Sequence, residues 1–169
     1  MTEDPVAGAA RRRTHAVMAN APVPHEETGP VVVGVDGSEH SKQALAWGAR
    51  YAALTGAPLT AVAVWRLPTS FGWTLPLPDE WDPEGDARRA LEREVEEVLG
   101  PDLPPTVSLT VVQGPPGKAL VDASAHASAV VVGSRGRGEF AGMLLGSVSA
   151  FVTTHAHCPV VVVRDSSER

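Results

Sequence analysis

Three short runs of this chain are almost continuously apolar: "VVVGV" at 31–35, "AVVVG" at 129–133 and "PVVVV" at 159–163. A strand that faces water on one side alternates apolar with polar residues, whereas a strand covered on both faces has no such alternation. The runs therefore predict strands of a parallel sheet with helices on both sides. "LTAVAVW" at 59–65 and "TVSLTVV" at 106–112 bring the expected strands to five. Between them lie "SEHSKQALAWGARYAALTG", "EGDARRALEREVEEVLG", "PPGKALVDASAHAS" and "GSVSAFVTTHAH", each long enough for a crossover helix. In the first, Ser38 is placed to cap the helix start, Ala44, Gly48, Tyr51 and Ala52 share a face, and Gly56 supplies the stop. In the second, Leu91, Val95, Val98 and Leu99 form the apolar stripe, with Glu92, Arg93, Glu96 and Glu97 turned to water. Strand, helix and strand repeated with right-handed crossovers give an α/β fold, an open doubly wound sheet.

Such sheets bind ligands outside the carboxyl ends of their strands, where the strand order reverses. The first strand ends in "VDGS", which puts Asp36 and Gly37 at that rim. Asp36 before Gly-Ser is also a good turn former, but its place at the switch point favours a ligand contact. The fourth strand runs into "VVVGSRGRGEFAGMLLGSVS" at 130–149. Gly133 and Gly136 let backbone amides approach a ligand and permit positive φ, the makings of an anion-binding nest. Gly146 and Ser147 open the last helix, whose first-turn amides favour phosphate, with the hydroxyls of Ser147 and Ser149 as further donors. Arg135 and Arg137 add positive charge that Glu139 partly offsets. A glycine-rich connection with Ser147 as an ordinary cap is the plainer alternative.

Other features narrow the field. At 169 residues the chain has the length of one domain. Residues 1–29, rich in Ala, Pro, Thr and charge, lack periodicity and are expected to form a disordered tail, leaving residues 30–165 as the globular unit. Met18 is an alternative first residue for the same unit. A net charge of −6 without a basic stripe argues against nucleic-acid binding. The single cysteine, Cys158, cannot form an internal disulfide, and its site beside Pro159 suits a small buried side chain. No apolar stretch approaches bilayer-spanning length, and Arg11, Arg12 and Arg13 are not followed by the apolar core of a secretion signal. A soluble, cytoplasmic protein with no membrane partner is expected. "GPPGKA" at 114–119 has two residues between its glycines where a P-loop needs four, so it is expected to be a turn into the third helix. His155 and His157 are two apart and cannot share a metal from one helix face. "WRLPTSFGWTLPLPDEW" at 65–81 carries three of the four tryptophans and is long for a connection, which suits either a lid or interface or a self-packed excursion.

Gly-x2-Gly-x9-Gly-Ser, formed by Gly133, Gly136, Gly146 and Ser147, resembles the nucleotide-binding signature of the universal stress protein family. At ordinary glycine usage such a pattern arises by chance in roughly one chain of this length per hundred. Here it also follows the fourth strand and opens the last helix, with "VVVGVDGS" on the first strand and "VAVWRLP" on the second. The resemblance covers nearly all of residues 30–164. It implies a five-stranded parallel sheet of order 3-2-1-4-5 with helices on both faces, of the adenine nucleotide alpha hydrolase-like kind. It further implies that Val35 and Asp36 lie near adenine and ribose and Val64 against the adenine. Gly133, Arg135 and Gly136 would then run along the ribose and phosphates, and Gly146, Ser147, Val148 and Ser149 would hold the phosphate tail of ATP with Mg²⁺.

The function implied is an ATP-binding stress-response or regulatory protein in which occupancy alters conformation, dimerisation or partner choice. Turnover is not expected, since the sequence shows neither a positioned nucleophile nor the His-x-Gly-His signature of related nucleotidyl transferases. Slow ATP hydrolysis, autophosphorylation on Ser147 or Ser149, cyclic AMP binding and a nucleotide-independent interaction module are the alternatives. Under the implied strand order "PVVVV" lies at the sheet edge, an aggregation hazard unless paired. A homodimer through Val160 to Val163 is the expected solution, as the resembled family commonly uses.

Overall fold

The computed structural model describes residues 29–67, 69–70, 73–74, 81–136 and 144–164. Expectations for the tail before residue 29, most of the tryptophan-rich stretch, Arg137, Glu139 and the domain end at 165 lie outside the described residues. The chain forms β1 (Val31–Gly34), α1 (Glu39–Thr55), β2 (Leu59–Trp65), β3 (Thr69–Ser70), β4 (Trp73–Thr74), α2 (Pro83–Leu99), β5 (Val107–Gln113), α3 (Pro116–Ser124), β6 (Ala129–Gly133), α4 (Ser147–His155) and β7 (Val160–Val163). Five strands make one parallel sheet in the order β5-β2-β1-β6-β7. Numbered along the chain, those five strands run 3-2-1-4-5, as expected. β3 and β4 form a small antiparallel pair inside the tryptophan-rich excursion, which the periodicity did not signal.

The alternation of side chains along each strand divides the core in two. Val31, Val33, Leu59, Ala61 and Val131 pack under α1 and α2 with Ala44, Leu45, Ala52, Leu91 and Val95. Val32, Val62, Val130 and Val132 turn the other way, toward Leu120 of α3 and Val152 of α4. Burying each of these branched side chains contributes about 1.5–3 kcal/mol. β1 lies next to both β2 and β6, so the order reverses between β1 and β6 and a crevice opens at their carboxyl ends.

Helix ends follow their local chemistry. Ser38 Oγ accepts the Ser41 amide at the start of α1, and Gly56, at φ 71°, closes it in the left-handed conformation. Asp82 accepts the Gly85 amide at the start of α2. The buried face of α1 carries Ala44, Leu45, Gly48 and Ala52, while Tyr51 is 37% exposed. Lys42 reaches across to Glu97 at 2.8 Å and to Glu39 at 3.3 Å, tying α1 to α2. These two carboxylates hold the Lys42 ammonium above the usual lysine range.

The apolar runs differ in their cover. β6 is buried throughout and β1 nearly so, whereas all four residues of β7 are only half-buried, because among the described residues β7 pairs with β6 alone. Continuous apolarity there reflects an edge rather than cover on both sides. β5, the opposite edge, begins and ends one residue later than the run of 106–112 suggests and alternates half-buried with exposed positions over most of its length.

Candidate functional site

The crevice between the carboxyl ends of β1 and β6 holds a cavity of about 370 Å³, within the common size range of small-molecule pockets. Every residue that the family pattern carries over lines it: Val35, Asp36, Val64, Gly133, Arg135, Gly136, Gly146, Ser147, Val148 and Ser149. They arrive from the end of β1, the end of β2, the loop after β6 and the first turn of α4. Doubly wound topology brings these distant segments to one place.

Asp36 is held from two directions. Its Oδ1 accepts the Ser38 hydroxyl at 2.6 Å and the Ser38 amide at 3.1 Å, and its own amide donates to Ser41 Oγ at 3.3 Å. Ser41 is almost fully buried and donates its proton to Ser38 O. Gly37, at φ 82°, makes the turn that lets this arrangement close. The capping residue of α1 therefore also fixes the carboxylate that faces the crevice.

The glycine positions differ in what requires them. A Cβ on Gly133 would stand 2.7 Å from the backbone carbon of His40, so the missing side chain lets α1 approach the end of β6. A Cβ on Gly136 would meet Asp36 Oδ2 at 2.5 Å. Gly146 is different: its φ of −68° suits any residue, and an added Cβ would touch nothing closer than 3.4 Å. The protein itself therefore tolerates a Cβ at 146, a position that lines the cavity. Positive φ among the described glycines occurs at 37, 56, 100 and 114. Gly133 and Gly136 thus serve by close approach and do not form the left-handed nest anticipated for them.

Two hydrogen bonds close the loop on itself. The Gly146 amide donates to Ser134 O at 2.7 Å, and the Ser149 hydroxyl donates to Gly133 O at 2.6 Å. Ser134 is in turn held by its amide to Val163 O at 2.7 Å. The single proton of the buried Ser149 hydroxyl is thus committed to Gly133, and the side chain braces the loop where a phosphate donor was anticipated. Ser147 is exposed. Gly146 provides no capping side chain, so the first-turn amides of α4 receive none where that turn lines the cavity.

Sequence reasoning missed the opposite wall. Gly34, Ser41, Val62, Pro116, Leu120 and Val132 also line the cavity. Pro116 and Leu120 belong to α3, the helix entered by the "GPPGKA" turn, and they stand four apart on one face. That spacing was readable; what hid it was that only the strand order brings α3 over β1, β2 and β6. Gly34 leaves room for Leu120, whose Cδ1 would lie 2.9 Å from an added Cβ. The inner wall is therefore apolar, and the mouth is polar and glycine-lined.

His155 stacks on Phe151 at 4.2 Å, with its Nδ1 2.9 Å from Phe151 O at the end of α4. Among the described residues no group of three ligating side chains could hold a metal ion. Cys158 sits at the amino end of β7, away from the crevice, and burial pushes its thiol up from the ordinary range against a smaller opposing effect of the Val130 backbone. No helix among the described residues is long and apolar enough to cross a membrane.

A family model described as "Universal stress protein family" matches residues 27–164. Universal stress protein Rv2005c of Mycobacterium tuberculosis is 39% identical over 145 residues, covering 83% of this chain and 49% of that protein. The chain thus spans about half the length of the curated relatives it matches. Among solved structures, a universal stress protein in complex with cAMP is 28% identical, with a TM-score of 0.61 over 82% of this chain and 98% of its own. Universal stress protein UspA from Lactobacillus plantarum shares the fold at 21% identity, with a TM-score of 0.60 over 83% of this chain and all of its own.

Proposed function

Because this chain belongs to the universal stress protein family, we propose that its crevice binds an adenine nucleotide, ATP with Mg²⁺, and that occupancy rather than turnover regulates its partners in a stress response. The observation that carries this reading is convergence: residues from four separated segments, carried over from the resembled family's pattern, line one cavity. The apolar wall of Val62, Val64, Leu120 and Val132 suits a flat base. Asp36, anchored through Ser38, would accept a ribose hydroxyl. The first-turn amides of α4 beside Gly146 would take phosphate oxygens, with Arg135 adding charge at the mouth.

Mg²⁺ would arrive on the phosphates, where it would offset their charge, and the exposed Ser147 hydroxyl would be the side chain of the last helix to hold it. Asp36 would then serve the nucleoside end, away from a terminal phosphate, which fits binding without hydrolysis. Should autophosphorylation occur, Ser147 is the acceptor this arrangement favours, since the Ser149 proton is engaged with Gly133 O. Cyclic AMP is the second reading, supported by the neighbour solved with that ligand. We further infer a homodimer through Val160 to Val163, because among the described residues β7 pairs on one side only and its residues stay half-exposed, and we keep the cytoplasmic location expected from the sequence as part of the same reading.

Calorimetric titration with ATP, AMP and cyclic AMP, each with and without Mg²⁺, tests the reading. Micromolar, Mg²⁺-dependent ATP binding is expected, worth about −8 kcal/mol, and Gly146→Lys should abolish it by filling the phosphate end. A folded Gly146→Lys protein with unchanged affinity overturns the phosphate site. Preference for cyclic AMP selects the second reading, and no binding by any of the three makes the glycine loop purely architectural.

A further inference from the structure

The outer flank of α1 carries an aromatic stripe that the nucleotide site does not use. Trp47 and Tyr51 stack at 5.2 Å with their planes 13° apart, and Leu54, one turn on, is 86% exposed. At about 100° per residue these three fall within an arc of roughly 60° on α1. Lys42, which binds Glu97 of α2, lies on the far side of that arc. The stripe therefore faces away from α2, toward the edge of the sheet. α1 itself lies over β1 and β6 and reaches β7 only at its margin. On that face β7 presents Val161 and Val163, which pack, as Trp47 does, against the outside of the core beneath α1.

We propose that this stripe is the second half of a homodimer interface whose first half is the edge of β7, its occupant being the same stripe of a second copy. The proposal rests on the edge dimer inferred above and says what completes it. β7 has four residues, an edge of roughly 13 Å at the usual rise. Such an edge is far short of the roughly 800 Å² per partner that stable interfaces bury. Antiparallel pairing of two β7 strands about a two-fold axis normal to the sheet keeps both α1 helices on the same face. A trough then lies between them over Val161 and Val163 of both copies, and Trp47, Tyr51 and Leu54 from each side fill it. Both halves of the interface are self-complementary, as a two-fold contact requires, and tyrosine and tryptophan are the residues enriched in such contacts.

Sedimentation of the full chain over a wide concentration range tests this, comparing the wild type with Tyr51→Lys, Leu54→Lys, an edge variant Val162→Lys, and Ala53→Lys as an exposed control nearer the α2 flank. Lysine is well tolerated in helices, and circular dichroism checks that each variant folds. A dimer weakened about tenfold or more by Tyr51→Lys and by Leu54→Lys, but unchanged by Ala53→Lys, is the result expected. If Val162→Lys dissociates the dimer while both stripe variants leave it intact, the stripe proposal is overturned and the edge dimer stands. If the stripe variants dissociate it and Val162→Lys does not, the edge reading falls and the combined interface with it. A wild type that stays monomeric throughout overturns both and leaves the stripe to a different partner.

Discussion

Gly133 and Gly146 belong to one motif, yet different neighbours require them, and alanine separates the two. At 133 the new Cβ collides with the His40 backbone, so Gly133→Ala should cost about 1–3 kcal/mol in chemical denaturation. At 146 the backbone is ordinary and an added Cβ makes only van der Waals contacts, at 3.4 Å and beyond, so Gly146→Ala should leave stability within about 0.5 kcal/mol. Any loss at 146 should appear in nucleotide affinity; a large stability loss there would mean that the fold, not a ligand, demands the glycine. Cys158 offers a pH test. Burial raises its thiol pKa, so the folded state keeps a proton that the unfolded state releases above about pH 8.5. Stability should therefore be unaffected at neutral pH and begin to fall above about pH 8.5, and this first part of the alkaline fall should be missing in Cys158→Ala, while the later part that Lys42 contributes remains. Alkylation at pH 8 should be slow until the chain is unfolded. At this scale the glycine spacing was legible because it is a pattern in one dimension. The commitment of the Ser149 proton to Gly133 was not, since it depends on where the end of β6 stands relative to α4.

Elements carry the coupling between stability and site. Ser38 caps α1 and holds Asp36 Oδ1 at the same time. Ser38→Ala should cost about 1 kcal/mol through the lost cap, and it should also weaken nucleotide binding, because of the two Ser38 donors to Asp36 Oδ1 only the backbone amide remains. Thermal melts and titrations on one preparation decide this: a destabilised protein with unchanged affinity would show that Asp36 needs no anchor. The cap at Ser38, the stop at Gly56 and the stripe of α2 were readable because each depends on a few neighbours along the chain. The wall made by Pro116 and Leu120 was not read, because helical spacing says which residues share a face and not what that face covers. β7 shows the converse: its valines look like those of β1 and β6, and only strand order distinguishes an edge from the interior.

For the whole molecule, strand order converts separated motifs into one cavity, and that order followed from the resemblance rather than from any single run of residues. If the cavity holds nucleotide only when folded, ATP at a hundred times its Kd should stabilise the protein by about 2.7 kcal/mol. The melting temperature should rise by roughly 10 °C, and this rise should disappear in Gly146→Lys. A melting temperature that ignores nucleotide would separate the crevice from the function proposed for it. The bonds from Gly146 to Ser134 and from Ser149 to Gly133 have another consequence. They join the carboxyl end of β6 to the first turn of α4, so these two walls of the pocket form one frame. A strain placed on either wall is thereby passed to the other, and the pocket answers to both.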